Sequence, residues 1–263
     1  MESEKYYFDL FNKYMNELKK IHSEIKIIKR IEKKLYRKTK DADKNELKNF
    51  QSKTYEDDYN KKSKIKTYNL DNGDIYIGEV ENNKMQGVGI YKYFDSIQYV
   101  GEFSQNIKEG IGIITFLTGN IYEGNFSKDK INKTGQMIYN SGDRYIGDWL
   151  DGKKEGRGVY IWQDGHMYIG EFKNNKMQGH GMCCYEDKTI VYIGNWINNL
   201  PNGEGTYIWN EDKKYIGEFL NGQRHGQGTF YLNGEIVYKG GWKFDKPSIF
   251  DRSIDEIFLL VDN

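Results

Sequence analysis

A motif of Tyr, any residue and Gly recurs along most of the chain at a nearly constant interval. Successive copies lie 23 residues apart, with a single interval of 24. The eight copies begin at Tyr76, Tyr99, Tyr122, Tyr145, Tyr168, Tyr192, Tyr215 and Tyr238. A fixed period of roughly 20 to 50 residues is typical of repeat proteins, in which each unit packs mainly on its neighbours. The sequence therefore predicts a repeat protein rather than a globule around one core.

Two more features recur with the same period. A large aromatic residue follows each glycine at the second position, except in the first unit, which has Val80. These aromatic residues are Phe103, Phe126, Trp149, Phe172, Trp196, Phe219 and Trp242. A Gly-x-Gly pair then follows in six units, whereas the third unit keeps only Gly135 and has Lys133 in place of the first glycine. Each unit thus has the composition of two short strands.

The spacing within one unit predicts a β-hairpin. In an extended strand Tyr145, Gly147 and Trp149 share one face, since residues two apart point the same way. The following Asp151-Gly152 favours a two-residue hairpin turn. In the simplest register the returning Gly-x-Gly lies opposite the aromatic residues, and bare glycine then gives a ring room to lie on the backbone. Isolated hairpins are marginally stable, so the units are expected to stack into one antiparallel sheet.

The motif resembles the MORN (membrane occupation and recognition nexus) repeat, whose pattern is close to Y-x-G-x-[W/F]-x-x-G-x-x-x-G-x-G over 23 residues. The resemblance implies an all-β repeat fold: an elongated single antiparallel sheet of stacked MORN hairpins. We assign residues 67–246 to eight repeats, the last of them incomplete, because no Gly-x-Gly follows Trp242. The atypical first and last units are typical of capping repeats.

The segments that flank the repeats predict two helices. Residues 1–40 form an amphipathic, coiled-coil-like helix, since apolar residues from Tyr7 to Leu35 recur at spacings of three and four. This helix is expected either to pack on its own sheet or to bind another chain. Residues 41–66 form a polar linker. Residues 247–263 form a C-terminal cap with a short helix, because Ser253 and Glu256 make a capping-box pattern before an apolar run.

Catalytic chemistry is not indicated by the sequence. The four histidines are scattered, and the adjacent Cys183 and Cys184 do not have metal-ligand spacing. The Gly-x-Gly pairs lead into strands rather than into the helix that a phosphate loop requires. We therefore expect no enzyme activity, cofactor or metal. Nucleic acid is not expected as a partner, since residues 67–263 carry net negative charge.

No apolar run is long enough to span a membrane, and the N-terminus lacks an apolar signal stretch. We expect a cytoplasmic protein that is neither membrane-spanning nor secreted. Proteins that the chain resembles act in cytoskeletal, ciliary and cell-division assemblies and often dimerise through their repeats. The resemblance thus implies a cytoskeleton-associated location, either ciliary or flagellar or cortical, and a homodimer.

Two functions follow from these features. The first is a non-catalytic scaffold that binds a helical segment of a partner protein on the aromatic face of the sheet. The residues expected to contact the partner are Tyr145, Trp149, Tyr168, Phe172, Trp196, Tyr215, Phe219 and Trp242. Intramolecular packing is the alternative role of each ring.

The second function is a peripheral membrane tether. Residues 1–66 contain 19 Lys and Arg against 12 Asp and Glu, so the head of the chain is basic whereas the repeats are acidic. A basic helix is attracted to anionic phospholipid or to an acidic partner. The residues expected to make this contact are Lys19, Lys20, Lys26, Lys29, Arg30, Lys33, Lys34, Arg37 and Lys38.

Overall fold

A computed structural model describes the backbone of residues 2–45 and 64–248. Within these residues the chain forms one long helix and seventeen strands. They group into two compact units, Asn12–Lys153 (the first unit) and Met1–Phe11 with Lys154–Asn263 (the second unit). The all-β antiparallel repeat with an N-terminal helix is confirmed. The predicted C-terminal helix and most of the predicted linker lie outside the described residues.

The helix α1 spans Glu2–Asn45 and is longer than its apolar pattern indicated. The strands of the first unit are β1 (Lys64–Asn69), β2 (Ile75–Glu81), β3 (Lys84–Lys92), β4 (Gln98–Ser104), β5 (Ile107–Thr115), β6 (Ile121–Ser127), β7 (Lys130–Ile138) and β8 (Arg144–Leu150). The strands of the second unit are β9 (Lys153–Ile161), β10 (Met167–Lys173), β11 (Lys176–Cys184), β12 (Ile190–Ile197), β13 (Leu200–Asn210), β14 (Lys213–Leu220), β15 (Gln223–Leu232), β16 (Glu235–Lys243) and β17 (Lys246–Pro247). Within each unit, strands that follow each other in sequence pair antiparallel.

The hairpin turns follow the predicted chemistry. Asp151 and Gly152 have φ values of 50° and 81°, and Asn174 and Asn175 have 49° and 70°. Two consecutive positive φ values are typical of the type I′ turn, whose twist matches that of the paired strands. The Asn-Asn and Asp-Gly pairs thus place each turn between the two strands of one repeat.

The simple hairpin register, however, was wrong. In the hairpin of β12 and β13, Gly194 lies opposite Gly205, and Trp196 lies opposite Pro201, so the register shifts between them. The extra residues on the returning strand form a bulge. The two glycine motifs therefore face each other, and the Trp does not lie opposite the Gly-x-Gly pair.

The turns also link successive repeats. The backbone N–H of Met177 donates to the side-chain Oδ1 of Asn199 at 2.8 Å, and the N–H of Asn199 donates to the carbonyl of Met177 at 3.0 Å. The same reciprocal pair of bonds joins Lys154 to Asn175. Each such turn residue lies in one repeat and binds the strand of the preceding repeat. This contact supplies part of the nearest-neighbour coupling on which repeat proteins depend.

In the first unit the helix packs on one face of the sheet. Ile21, Ile25, Ile28 and Leu35 are buried together with sheet residues. The sheet residues in this cluster are Ile77, Ile90, Val100, Ile111 and Ile113. Each alternates along its strand with a Tyr or Gly of the repeat motif, so the helix covers the face opposite to the motif tyrosines. Of the two alternatives for the helix, packing on its own sheet is the one observed.

Candidate functional site

The face of the sheet opposite the helix is built from the motif tyrosines. Each tyrosine hydroxyl donates to the backbone carbonyl three residues further on, as from Tyr122 to Asn125 at 3.0 Å and from Tyr168 to Glu171 at 2.9 Å. All eight motif tyrosines make this bond. The acceptor is the residue at which the hairpin register shifts, so the hydroxyl binds a carbonyl beside the bulge.

The glycines of the motif leave room for these tyrosine rings. A Cβ built on Gly181 would overlap the ring of Tyr168, and one built on Gly205 would overlap the ring of Tyr192. The prediction that the glycines are sockets for rings is thus confirmed, but the ring that occupies each socket is the tyrosine and not the Trp or Phe. The register shift explains the difference, because it places the two glycines of a hairpin opposite each other beneath one tyrosine.

The Trp and Phe rings connect one repeat to the next. Trp196 contacts Tyr192 of its own repeat with ring centroids 5.3 Å apart, and Tyr168 of the preceding repeat at 5.0 Å, both edge to face. Its Nε1 also donates to the carbonyl of Gly181 at 3.1 Å. Such aromatic pairs contribute about 0.5–1.5 kcal/mol beyond their buried area. The aromatic face is therefore a continuous ladder within each unit.

The eight aromatic residues proposed to bind a partner all belong to this ladder. Their exposed fractions lie between 0% and 6%. The structure gives them an intramolecular packing role, and their contact with a partner stays a prediction. They form the floor of the aromatic face, on which less buried rings lie.

Those less buried rings were missed by the sequence reasoning. We call Tyr160, Trp162, Tyr185, Tyr207 and Trp209 the accessible aromatic row; Tyr185 is exposed and the other four are half-buried. Tyr160 is paired directly with Tyr168 across β9 and β10, which places the row on the ladder side. A sequence signal existed, since Tyr-x-Trp occurs at the same place in the repeat motif at Tyr160 and at Tyr207.

Cationic side chains lie over the accessible aromatic row. The Nζ of Lys154 is 4.7 Å from the ring centroid of Tyr160, and that of Lys213 is 5.1 Å from the ring centroid of Trp209. The guanidinium of Arg224 lies 5.2 Å from the same Trp209 ring. Aromatic rings with cations above them can bind apolar side chains and carboxylates together.

The cations predicted to contact a membrane lie on the helix surface away from the sheet. Lys19, Lys26, Arg30, Lys33 and Arg37 are exposed and are spaced by seven, four, three and four residues. This spacing places them on the helix side opposite Ile21, Ile25 and Ile28. Lys20, Lys29 and Lys34 are also exposed, whereas the side chain of Lys38 lies outside the described residues.

One of these cations has a partner on the sheet. The Nζ of Lys29 donates to Oε1 of Glu123 at 3.1 Å, and Nε2 of His22 lies 3.2 Å from Oε2 of the same residue. Glu123 is buried at a position that is Val100 and Ile146 in the neighbouring repeats. This acid in an otherwise apolar row is the sequence signal that could have located the helix on this face.

No group of three or more His, Cys, Asp or Glu residues in the described part of the chain lies close enough to hold a metal ion. Burial raises the pKa of the Cys183 and Cys184 thiols to about 11, so both are protonated at neutral pH. No helix among the described residues has the length and apolar character needed to cross a bilayer.

Hairpins in series with a tyrosine ladder define a β-hairpin repeat protein that acts as an interaction module. The MORN repeat model matches residues 76–96, 99–121, 122–144, 145–167, 168–190, 192–211 and 215–234, more than half of the chain. The chain therefore belongs to the MORN repeat family. It is a protein-interaction or membrane-associated repeat module, of a kind that is generally non-catalytic. The eighth unit, predicted as incomplete, is outside the matched ranges, although Tyr238 retains the hydroxyl bond of the motif.

No curated protein matches the chain. Among solved structures, the SAS-4 (dCPAP) TCP domain of Drosophila melanogaster, in complex with a proline-rich motif of Ana2 (dSTIL), is similar with 15% identity and a TM-score of 0.34 over 51% of this chain and 77% of that chain. BamB from Moraxella catarrhalis has 6% identity and a TM-score of 0.18, over 69% of this chain and 74% of that chain. Virginiamycin B lyase from Staphylococcus aureus has 12% identity and a TM-score of 0.17, over 76% of each chain. Similarities this low carry no argument about function.

Proposed function

We propose that the chain is a non-catalytic scaffold that binds a helical segment of a partner protein on its aromatic face. The observation that supports this most directly is the accessible aromatic row, a set of Tyr and Trp rings that remain partly exposed above a fully packed ladder. Tyr, Trp and Arg are enriched among the residues that dominate binding energy at interfaces. The eight ladder residues, Tyr145 to Trp242, hold the accessible rings in place and supply the floor of the binding surface.

The chemistry of the partner follows from the side chains on this surface. The rings of Trp162 and Trp209 offer apolar area, whereas Lys154, Lys213 and Arg224 offer positive charge. An amphipathic helix with apolar residues at spacings of three and four and with acidic residues beside them satisfies both. The partner is therefore an acidic amphipathic helix of another protein.

The setting of this scaffold is inferred from the family. Resemblance to MORN proteins of cytoskeletal, ciliary and cell-division assemblies supports a cytoplasmic, cytoskeleton-associated role and a homodimer. In such an assembly the repeat sheet holds one partner. The exposed side of α1 is then available to a second attachment.

Cross-linking mass spectrometry on the complex isolated from native cells tests the scaffold proposal. Cross-links from Lys154 and Lys213 to one helical segment of another protein are the expected result. Trp162→Ala and Trp209→Ala should each lower capture of that protein at least tenfold, which corresponds to a loss of 1.4 kcal/mol or more. Phe94→Ala, at a turn residue that is 80% exposed, is the matched control and should leave capture unchanged. Capture that is equal in all three variants contradicts the proposal.

A second candidate function, the peripheral membrane tether, is favoured by the outward stripe of cations on α1. Because Ile21, Ile25 and Ile28 of the helix are buried against the sheet, the helix contacts a membrane through charge alone and does not insert an apolar face. Each Lys or Arg close to an anionic surface contributes about 1 kcal/mol. A stripe of five such residues is enough for salt-sensitive binding to anionic phospholipid.

Substitution is a better test of the tether than deletion of the helix, since deletion would expose the sheet core. Reversing the charge of Lys26, Arg30 and Lys33 to Glu should abolish sedimentation with phosphatidylserine vesicles at low salt. The control reverses the exposed Lys128, Lys173 and Lys243, which lie on the sheet. Equal loss in both triple variants would indicate a general charge effect and would remove the helix stripe as the binding site.

A further inference from the structure

The sheet face that the helix covers in the first unit has an uncovered counterpart in the second unit. The positions equivalent to the buried Ile77 and Ile90 are Ile216 and Thr229, which are cross-strand neighbours in β14 and β15. Ile216 is 42% exposed, unlike its buried equivalents. Its repeat position makes it the site where an apolar cover is absent among the described residues.

Further apolar side chains extend this surface. Leu220 lies on the same strand face as Ile216, four residues along β14, and is 40% exposed. Ile197 and Leu200 are cross-strand partners in β12 and β13 and are each 44% exposed. The methyl group of Leu200 lies next to the turn glycine Gly222, 3.8 Å from the position of an added Cβ, so these residues form one patch across neighbouring repeats. We call Ile197, Leu200, Ile216 and Leu220 the open apolar patch.

The C-terminal sequence has the pattern of a helix that could cover such a patch. Ile254, Ile257, Phe258 and Val261 are spaced by three, one and three residues, which places them on one side of an α-helix. Ser253 and Glu256 form a capping box at the start of this pattern. Residues 249–263 lie outside the described part of the chain.

The length of this segment matches the patch. A helix over residues 253–262 is about 15 Å long, and the distance from β16 to β13 is about 14 Å, three strand spacings. The chain enters from the correct place, since the N–H of Ser248 donates to the carbonyl of Gly241 in β16 at 2.8 Å. Residues 249–252 reach up to about 14 Å, which is enough to pass from the sheet edge to its face.

The charges are also complementary. Asp255 and Asp262 are seven residues apart and would share one flank of the apolar side. Lys214 lies on the same face of β14 as Ile216, and Lys239 is the cross-strand neighbour of Thr229 in β16. Lys239 is exposed and Lys214 is half-buried, with its Nζ 5.2 Å from the ring of Tyr231. These two cations flank the row on which the segment would lie.

We propose that residues 253–262 dock as an amphipathic helix on the open apolar patch of their own chain, with Asp255 and Asp262 toward Lys214 and Lys239. The segment covers the sheet face rather than the edge of the last strand. It does for the second unit what α1 does for the first. A helix of another protein gains access to the patch only when the segment leaves it.

Carbodiimide cross-linking of the full chain tests this docking, because the reagent joins an amine to a carboxylate only where the two are in contact. The expected product links Lys239 or Lys214 to Asp255 or Asp262. In a mixture of isotopically light and heavy chains, the linked peptides should carry one isotope only. Linked peptides of mixed isotope would show that a second copy occupies the patch. Absence of any such link would overturn the proposal.

Variants separate docking from nonspecific proximity. Ile216→Asp and Ile257→Asp should each lower the yield of the intramolecular link several-fold and should speed amide exchange in residues 254–261. Leu259→Asp is the matched control, since Leu259 lies on the opposite side of the helix and should leave both readouts unchanged. The patch substitution is at an exposed residue, so the fold should survive, as circular dichroism can verify. Equal effects of Ile257→Asp and Leu259→Asp would contradict the proposed face.

Discussion

At the scale of single residues, the motif tyrosine has two roles, since its ring fills the glycine sockets and its hydroxyl binds a carbonyl. In the third repeat, Tyr122 donates to Asn125, which has no register partner in β7. Tyr122→Phe keeps the ring but removes the donor, so we expect the free energy of unfolding to fall by about 1–2 kcal/mol. Urea denaturation measures the change. Tyr231→Phe, at a half-buried tyrosine outside the motif, should change stability by less than about 0.5 kcal/mol, and an equal loss there would contradict the assigned role.

Lys133 provides a second prediction at this scale. Its φ is 56°, a left-handed value, whereas the equivalent residues of other repeats are glycines such as Gly156 at 75° and Gly179 at 65°. Left-handed backbone costs a side-chain-bearing residue about 1–2 kcal/mol, and the added chain entropy of glycine costs about 0.5–1 kcal/mol. Lys133→Gly should therefore stabilise the protein by roughly 0.5–1 kcal/mol. The reverse change, Gly156→Lys, should destabilise it, and thermal unfolding of both variants would show whether the signs are opposite.

The sequence determined much of this residue-level picture, but not the partners. The periodic glycines predicted sockets for rings, and Lys133 was visible as an exception. The ring in the socket was assigned wrongly because the spacing of residues along one strand does not report a register shift against the next. Only the paired strands show that Gly194 faces Gly205 and that the hydroxyl of Tyr192 reaches the carbonyl of Asn195.

At the scale of elements, α1 is an integral part of the sheet that it covers. Ile28 is 3% exposed and packs in the apolar cluster, whereas the adjacent Ile27 is 55% exposed. Ile28→Ala should lower the free energy of unfolding by about 2–4 kcal/mol. Ile27→Ala has the same chemistry and a similar helix propensity effect, so it is the matched control and should cost less than about 0.5 kcal/mol.

Chemical denaturation with amide exchange in residues 12–37 measures both effects. If both variants lose the same stability, the helix is not held on the sheet through Ile28. The sequence predicted the amphipathic helix but left open what its apolar side contacts. Periodicity defines a face, and the partner of that face depends on the tertiary fold. Glu123 is the residue that could have indicated the answer, since it is a buried acid opposite a basic helix.

At the scale of the whole molecule, the repeated tyrosines make stability depend on alkaline pH. Burial raises the pKa of Tyr7, which lies on the helix, and of Tyr139 to about 12, and it raises the pKa of ladder tyrosines such as Tyr122 and Tyr168 further. The folded pKa thus exceeds the value of 10.0 for an unperturbed tyrosine. Such a group contributes its full stability below pH 10, and the contribution falls as pH rises from 10 through the folded pKa.

The loss should be steep because many tyrosines contribute together. Each one removes about 1.4 kcal/mol per pH unit once the unfolded chain ionises, whereas domains are stable by about 5–15 kcal/mol in total. We therefore expect cooperative unfolding between pH 10 and 12, with the loss of circular dichroism coinciding with the rise of tyrosinate absorbance. Tyr122→Phe carries one ionisable ring fewer, so the pH dependence of its unfolding free energy should be shallower than that of the parent chain. Tyrosinate absorbance that rises around pH 10 while the sheet signal persists would mean that the ladder rings are accessible to solvent in the folded protein.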